Sequence, residues 1–309
     1  MNAHSRPTVE TDPIASWKYR IAPHYGDGRA HAMTVDVEDY FQVEAFFRFV
    51  DRADWDARER RVEANTDKIL QMFDDAHAQA TFFVLAWVAE RHPALVRRIV
   101  AAGHELASHG REHRRADSQD RKEFLEDAQG ARKTLEDIGG IAVRGYRAAS
   151  FSISKRNLWT VETLEEAGYT YSSSIYPVRH DLYGIPEAPT VAFHPIVGSG
   201  FMEIPPSSFR AFGANYPCGG GGFFRLLPYA VSRATLRLSA RQRQRPNVFY
   251  FHPWEIDPDQ PRIEGVPLRG RVRHYTNLHK MQGKVERLLR AFDWTSIDRI
   301  FPVQSLPAP

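Results

Sequence analysis

A single cysteine, Cys218, in 309 residues excludes an intrachain disulfide and gives no sign of an oxidising compartment. No apolar run is long enough to cross a bilayer, and the first thirty residues lack the apolar core of a signal peptide. The expectation is a cytoplasmic protein, with peripheral attachment to the inner membrane as the alternative. The formal net charge is only +3, without a lysine-rich block or a nucleic-acid motif, so no nucleic-acid partner is read into it. Internal repeats and low-complexity segments are absent as well, and nothing speaks to oligomeric state. What remains, 42% hydrophobic and 26% charged, is the composition of an ordinary globular protein large enough for one α/β barrel domain or two smaller domains.

The stretch around which the chain is organised is His109-Gly110-Arg111-Glu112-His113. Two imidazoles four positions apart share a face if the backbone makes one helical turn, and neutral imidazole ligates zinc, iron, cobalt or nickel. The same residues fit the inverted zinc-peptidase pattern His-x-x-Glu-His, with Glu112 as general base. That pattern needs an established helix. Here Gly103 closes a helix and Glu105 to Ser108 reads as a strand running into His109, which is the placement of ligands in an α/β barrel.

Before this stretch, residues 1–30 read as an irregular leader packed through Trp17 and Ile21. Ala32 to Asp36 is a strand ending in the acidic burst Asp36-Val37-Glu38-Asp39, which is costly unless it meets a cation, a metal or water. A helix is expected from Asn65 or Thr66, a buried strand at Ala80–Leu85, and a helix from Pro93 to Gly103. Beyond the histidines, a helix opens at Ser118 and stops at Gly139-Gly140. A strand spans Ala142–Arg147, a helix ends at Gly168, and Tyr169–Tyr171 resumes strand. This alternation argues for a parallel sheet or barrel. Residues 176–228, rich in proline and carrying Gly219 to Gly222, read as a long decorated insertion in which the glycines make a tight turn rather than a phosphate cradle. A helix at Ala230–Ala240 then precedes the apolar strand Asn247–Phe251, which ends at His252, and a basic stretch, Arg269 to Arg273, leads into a last helix reaching about Phe292.

Four polar outputs therefore stand at strand ends: the Asp36 cluster, the His109/His113 pair, Arg147 and His252. With Thr34 to Asp39, His109 to His113, Tyr146-Arg147-Ala148-Ala149-Ser150-Phe151 and Phe251-His252, the chain resembles the polysaccharide deacetylases (carbohydrate esterase family four), in order over residues 30 to 255. Glu203 to Pro206, Gly219 to Leu227 and Arg273 to Asn277 resemble the subfamily found with bacterial exopolysaccharide loci. The resemblance implies an α/β fold, a distorted (β/α) barrel over 31–255, with a C-terminal extension over 256–309. It also implies metal-dependent removal of N-acetyl groups from amino-sugar units of an exopolysaccharide, oligosaccharide or lipid-linked precursor, with zinc the expected metal and cobalt or nickel the alternatives.

Carried over residue by residue, the resemblance makes Asp36 the base that activates water and His109 and His113 metal ligands. Arg147 orients the base, and His252 is the acid that protonates the leaving amine. The third ligand is Glu38 or Asp39. Val37 stands where the family usually has a second aspartate, and the two-residue period of a strand points Glu38 the same way as Asp36. A backbone N–H at Ser150 or Phe151 is the expected oxyanion donor, and Arg273 a candidate contact for an anionic glycan or lipid diphosphate. Ala148-Ala149 replaces the usual prolines, and Ser172 stands where an acid orienting the histidine is expected. Two further readings follow from these departures: a cyclic amide or ureide amidohydrolase on the same fold, or a carbohydrate-binding protein with impaired catalysis.

Overall fold

A computed structural model describes residues 17–25 and 29–303; most of the expected leader, 1–16 and 26–28, lies outside them, as does 304–309. Within the described part of the leader, Trp17 packs edge-on against Phe193, and Arg20–Ile21 forms a short strand.

Eight strands carry the argument: β1 (Ala30–Val37), β2 (Thr81–Val84), β3 (Glu105–Ser108), β4 (Gly145–Tyr146), β5 (Tyr171–Ser172), β6 (Met202–Glu203), β7 (Val248–Phe251) and β8 (Asp293–Thr295). The first seven are parallel in the order β6-β5-β4-β3-β2-β1-β7, and β8 joins the N-terminal half of β1. Phe193–His194 lies antiparallel on the outer side of β6, and Arg20–Ile21 on Phe193–His194. The two edges of the sheet meet without a regular ladder. Ser207, just beyond β6, donates its backbone N–H to Val248 and takes that of Val248 on its hydroxyl, while Tyr250 N–H reaches Gly219 O. The result is an α/β fold built as a distorted barrel, with residues 176–228, expected as an insertion, supplying β6 and this closure.

Alternation along β1 sorts the chemistry. Met33, Val35 and Val37 join the larger cluster of the molecule, whereas Ala32 joins a second one with Phe83, Ala107, Tyr171 and Val248. Thr34 and Asp36 have the same parity as Ala32, so they follow it by the two-residue period. Because the core strands are parallel, their C-terminal ends gather at one mouth. The register carries over into the loops: His109 N–H bonds Val84 O, Arg147 N–H bonds Ser108 O, and Ser173 N–H bonds Tyr146 O.

The α-helices among the described residues are α1 (Val62–Asp75), α2 (Ala86–Arg91), α3 (Pro93–Ala101), α4 (Arg121–Gly139), α5 (Trp159–Glu166), α6 (Gly221–Leu226), α7 (Tyr229–Arg243), α8 (Leu268–Tyr275), α9 (Leu278–Leu289) and α10 (Ile297–Ile300). Three starts differ from expectation. α1 opens three residues before Asn65, because its first amides, Arg61 N and Val62 N, are capped from a distance by Asp39 Oδ2. Asn65 and Thr66 lie inside the helix, donating to Asp257 Oδ2 and Val62 O. α4 opens at Arg121 behind an Asp120–Glu123 capping box, with Ser118 left in a preceding turn. The basic stretch at Arg269–Arg273 is itself a helix, α8. Gly219 and Gly220 serve close approach rather than a tight turn: a Cβ on Gly219 would strike Val248 O, and one on Gly220 the Tyr250 hydroxyl, 2.7 Å away.

Candidate active site

The His109–His113 loop has no helical turn. Gly110 and His113 take positive φ (79° and 51°), and this reversal, not a helix face, sets the two rings 5.2 Å apart. A Cβ on Gly110 would press on Asp127 Oδ2 at 3.1 Å and the Tyr146 hydroxyl at 3.3 Å. The loop is held from outside: Gly110 O and Arg111 O accept the first amides of α2, and Arg52 donates to Glu112 O and His113 O. His109 thus follows a strand and His113 sits in a loop, which removes the inverted peptidase pattern and its role for Glu112.

Glu38, His109 and His113 are buried and bring one ligand atom each to within 4.8 Å of one another. His109 Nδ1 sits 2.8 Å from Arg147 O, which leaves Nε2 for the cluster. Glu38 Oε2 lies 2.9 Å from His113 Nε2 and has no other partner among the described residues. Burial lowers the His109 pKa to about 4, keeping the imidazole neutral as ligation requires. For Glu38, burial works upward, but His113 and His252 hold the carboxyl well below its ordinary range. Two imidazoles and a carboxylate are the donor set of a catalytic divalent-metal site, so the residues fit that group.

Asp39 is turned away. Besides capping α1, it accepts the Tyr40 amide. Asp39→Ala should therefore cost about 1 kcal/mol of stability through the lost cap, with metal content unchanged; loss of metal in elemental analysis would reassign the ligand.

Arg147 is fully buried. Its Nη1 reaches Asp36 Oδ1 at 2.6 Å and Thr34 Oγ1 at 2.7 Å, its Nε and Nη2 hold Ser173, and its guanidinium lies 4.1 Å from the Phe83 ring centre. The other Asp36 oxygen is 3.8 Å from His252 Nε2, which also lies 3.6 Å from Glu38 Oε1. The strand ends have assembled two acids, two imidazoles, a guanidinium and a third imidazole in one pocket.

Residues 53–172 match the family model "Polysaccharide deacetylase", and residues 173–302 match "Domain of unknown function (DUF3473)". That match assigns residues 53–172 to a polysaccharide deacetylase domain. The first match contains His109, His113 and Arg147; Asp36 and Glu38 precede it, and His252 falls in the second. Over 48 residues (16% of this chain) the sequence is 42% identical to a chitooligosaccharide deacetylase of Sinorhizobium fredii, and the match spans only 22% of that protein's length. A Mycobacterium smegmatis structure assigned to the polysaccharide deacetylases shares the fold, with a TM-score of 0.57 at 21% identity over 89% of this chain and 91% of that one.

The acid missing at Ser172 of the deacetylase domain has a counterpart elsewhere. Glu255, three residues after His252 in a turn opened by Pro253, places Oε2 3.2 Å from His252 Nδ1 and 3.1 Å from His252 N. Its other oxygen takes Arg225 Nε at 3.3 Å. Gly221 admits it, since a Cβ there would collide with Glu255 Oε2. Trp254, between them, donates its indole N–H to Glu38 Oε1 and stacks on His252. The signal was present as His252-Pro253-Trp254-Glu255, an acid at i+3 behind an initiating proline. Burial lowers the His252 pKa, but Glu38, Glu255 and Asp36 raise it to about 9.

The remaining expected residues lie outside this inner cluster. Ser150 and Phe151 are consecutive non-glycine residues at positive φ (53° and 52°), a strained corner directly after Arg147-Ala148-Ala149. Phe151 N–H is committed to Ala148 O, so of the two expected oxyanion donors Ser150 N–H remains. The Phe151 ring packs with Tyr176, Tyr183 and Tyr250, and His180 stacks on Tyr183 at 3.9 Å. Arg273 is exposed on α8 and touches His180 Nε2 at 3.0 Å; it is not part of the inner cluster.

Proposed function

We propose that this protein is a metal-dependent N-deacetylase acting on amino-sugar units of an exopolysaccharide or its oligosaccharide or lipid-linked precursor. The observation that carries this reading is the Glu38/His109/His113 cluster set beside two opposed proton carriers, Asp36 and His252. Glu38, His109 and His113 would hold the divalent cation, for which zinc is the expected metal, and when bound it would supply Lewis acidity toward a carbonyl and a water.

The chain's own groups do the rest. Asp36 is the base that takes a proton from the attacking water, and Arg147 fixes its angle. His252, ringed by carboxylates, holds a proton at Nε2 and gives it to the departing amine nitrogen. Glu255 is its positioning residue, fixing Nδ1–H and hence the ring's direction. Ser150 N–H donates to the oxygen of the tetrahedral intermediate. The polysaccharide deacetylase match and the Sinorhizobium fredii relative support the substrate class, and the DUF3473 match fits the exopolysaccharide-associated subfamily.

Metal-replete protein should release acetate from at least one member of a panel of N-acetylated glycans, and lose that activity on chelation. No acetate from any member would sink the reading, and turnover of hydantoin-type ureides alone would replace it. Glu255→Gln should lower kcat by about a hundredfold at nearly constant KM and metal content, with partial recovery in Glu255→Asp. An unchanged kcat would show that His252 needs no orienting acid.

A further inference from the structure

Helix α7 is built inside out. A surface helix normally turns its apolar stripe to the core. Here the buried residues are Ser232, Leu236 and Ser239, with Ser239 Oγ donating to Ser208 O. Solvent instead meets Val231, Ala234 and Leu238, spaced three and four residues apart, which is one continuous helical stripe, with Leu227 exposed just before the helix; Val231 is 44% exposed and Leu238 40%. At its N-terminal end α6 adds Phe223 and Leu226, also exposed, and a groove of about 630 Å³ runs from Leu226 and Leu227 to Lys280 and Lys284 of α9.

Charge says what covers this face. Between Glu203 and Glu255 the sequence holds no aspartate or glutamate and seven arginines. Arg225 and Arg243 are engaged internally, by Glu255 and by Thr190 O, Ser207 and Asn247. Arg233, Arg237 and Arg241 stand exposed at four-residue intervals along one side of the stripe, without a carboxylate partner among the described residues. A second copy of this chain would set arginine against arginine. An anionic glycan would neutralise the arginines but leave the stripe wet. A bilayer with anionic headgroups satisfies both, the stripe entering the acyl boundary and the arginine row lying at headgroup level.

We propose that the α6–α7 face is a docking surface for an anionic lipid bilayer. α6 joins that face to the Glu255–His252 pair through Arg225. The proposal does not depend on which bond the site hydrolyses.

The test is flotation with vesicles of equal parts phosphatidylglycerol and phosphatidylcholine against pure phosphatidylcholine at low ionic strength. Wild type should float with the anionic vesicles only. Arg233→Gln/Arg241→Gln should cut the partition roughly twentyfold, about fivefold per charge, and Val231→Gln/Leu238→Gln at least about tenfold. Circular dichroism melting should be unchanged in both, since all four side chains are exposed. Absence of anionic-vesicle binding, equal binding to both vesicle types, or binding indifferent to both double variants would overturn the proposal. So would sedimentation showing a dimer that Leu238→Gln dissolves, which would assign the stripe to a second copy.

Discussion

Asp36→Asn should keep its metal and lose its rate, whereas His109→Ala should lose both. The Asn variant keeps the shape of a side chain that touches Arg147 at 2.6 Å and lies 3.8 Å from His252, but it removes the charge that takes a proton. A base contributes of order a thousandfold, so kcat should fall by about that factor with metal content near one per chain. His109 acts differently. Its Nδ1 is fixed by Arg147 O, its Nε2 is aimed at the cluster, and its loop is clamped by α2 and Arg52. Removing the ring leaves Glu38 and His113 as two donors, too few for a catalytic site. Elemental analysis beside acetate release separates the roles. If Asp36→Asn also loses metal, Asp36 is a ligand and the base lies elsewhere.

The contrast also shows how much of this molecule can be read from sequence. Strand parity legibly separated Asp36 and Glu38 from Val37, because a two-residue period survives to the end of an eight-residue strand such as β1. Long apolar strands and the terminal polar outputs at His109, Arg147 and His252 were legible for the same reason. Contacts that cross the chain were not. Asp39 caps a helix more than twenty residues away, and the first amides of α2 are satisfied by Gly110 and Arg111, so neither helix start has a local signal. The two-residue strands β4 and β5 are too short to show a period, and their extents were read too long. The reversal at His109–His113 depends on positive φ at a histidine, which composition does not announce. Glu255 was visible as an acid at i+3, but only Arg225 and Gly221, thirty or more residues upstream, show why it turns toward His252.

Arg147→Met should be the most damaging single change. The guanidinium is fully buried and satisfies Asp36, Thr34 and both Ser173 oxygens at once. Methionine fills much of the volume yet leaves the Asp36 carboxylate buried without its cation, a loss of about 3–5 kcal/mol. For a protein of this size that lowers Tm by roughly 10 °C. Activity should vanish with it, since Asp36 loses the guanidinium that holds its carboxylate in the geometry a base needs. Arg147→Lys separates stability from geometry. An ammonium still offsets the charge, so most of the stability should return. It has no planar fork to hold Thr34, Asp36 and Ser173 together, so kcat should remain depressed by about a hundredfold. Full activity in the lysine variant would reduce Arg147 to a counter-charge, and wild-type stability in Arg147→Met would mean that the pocket admits water enough to solvate Asp36 by itself.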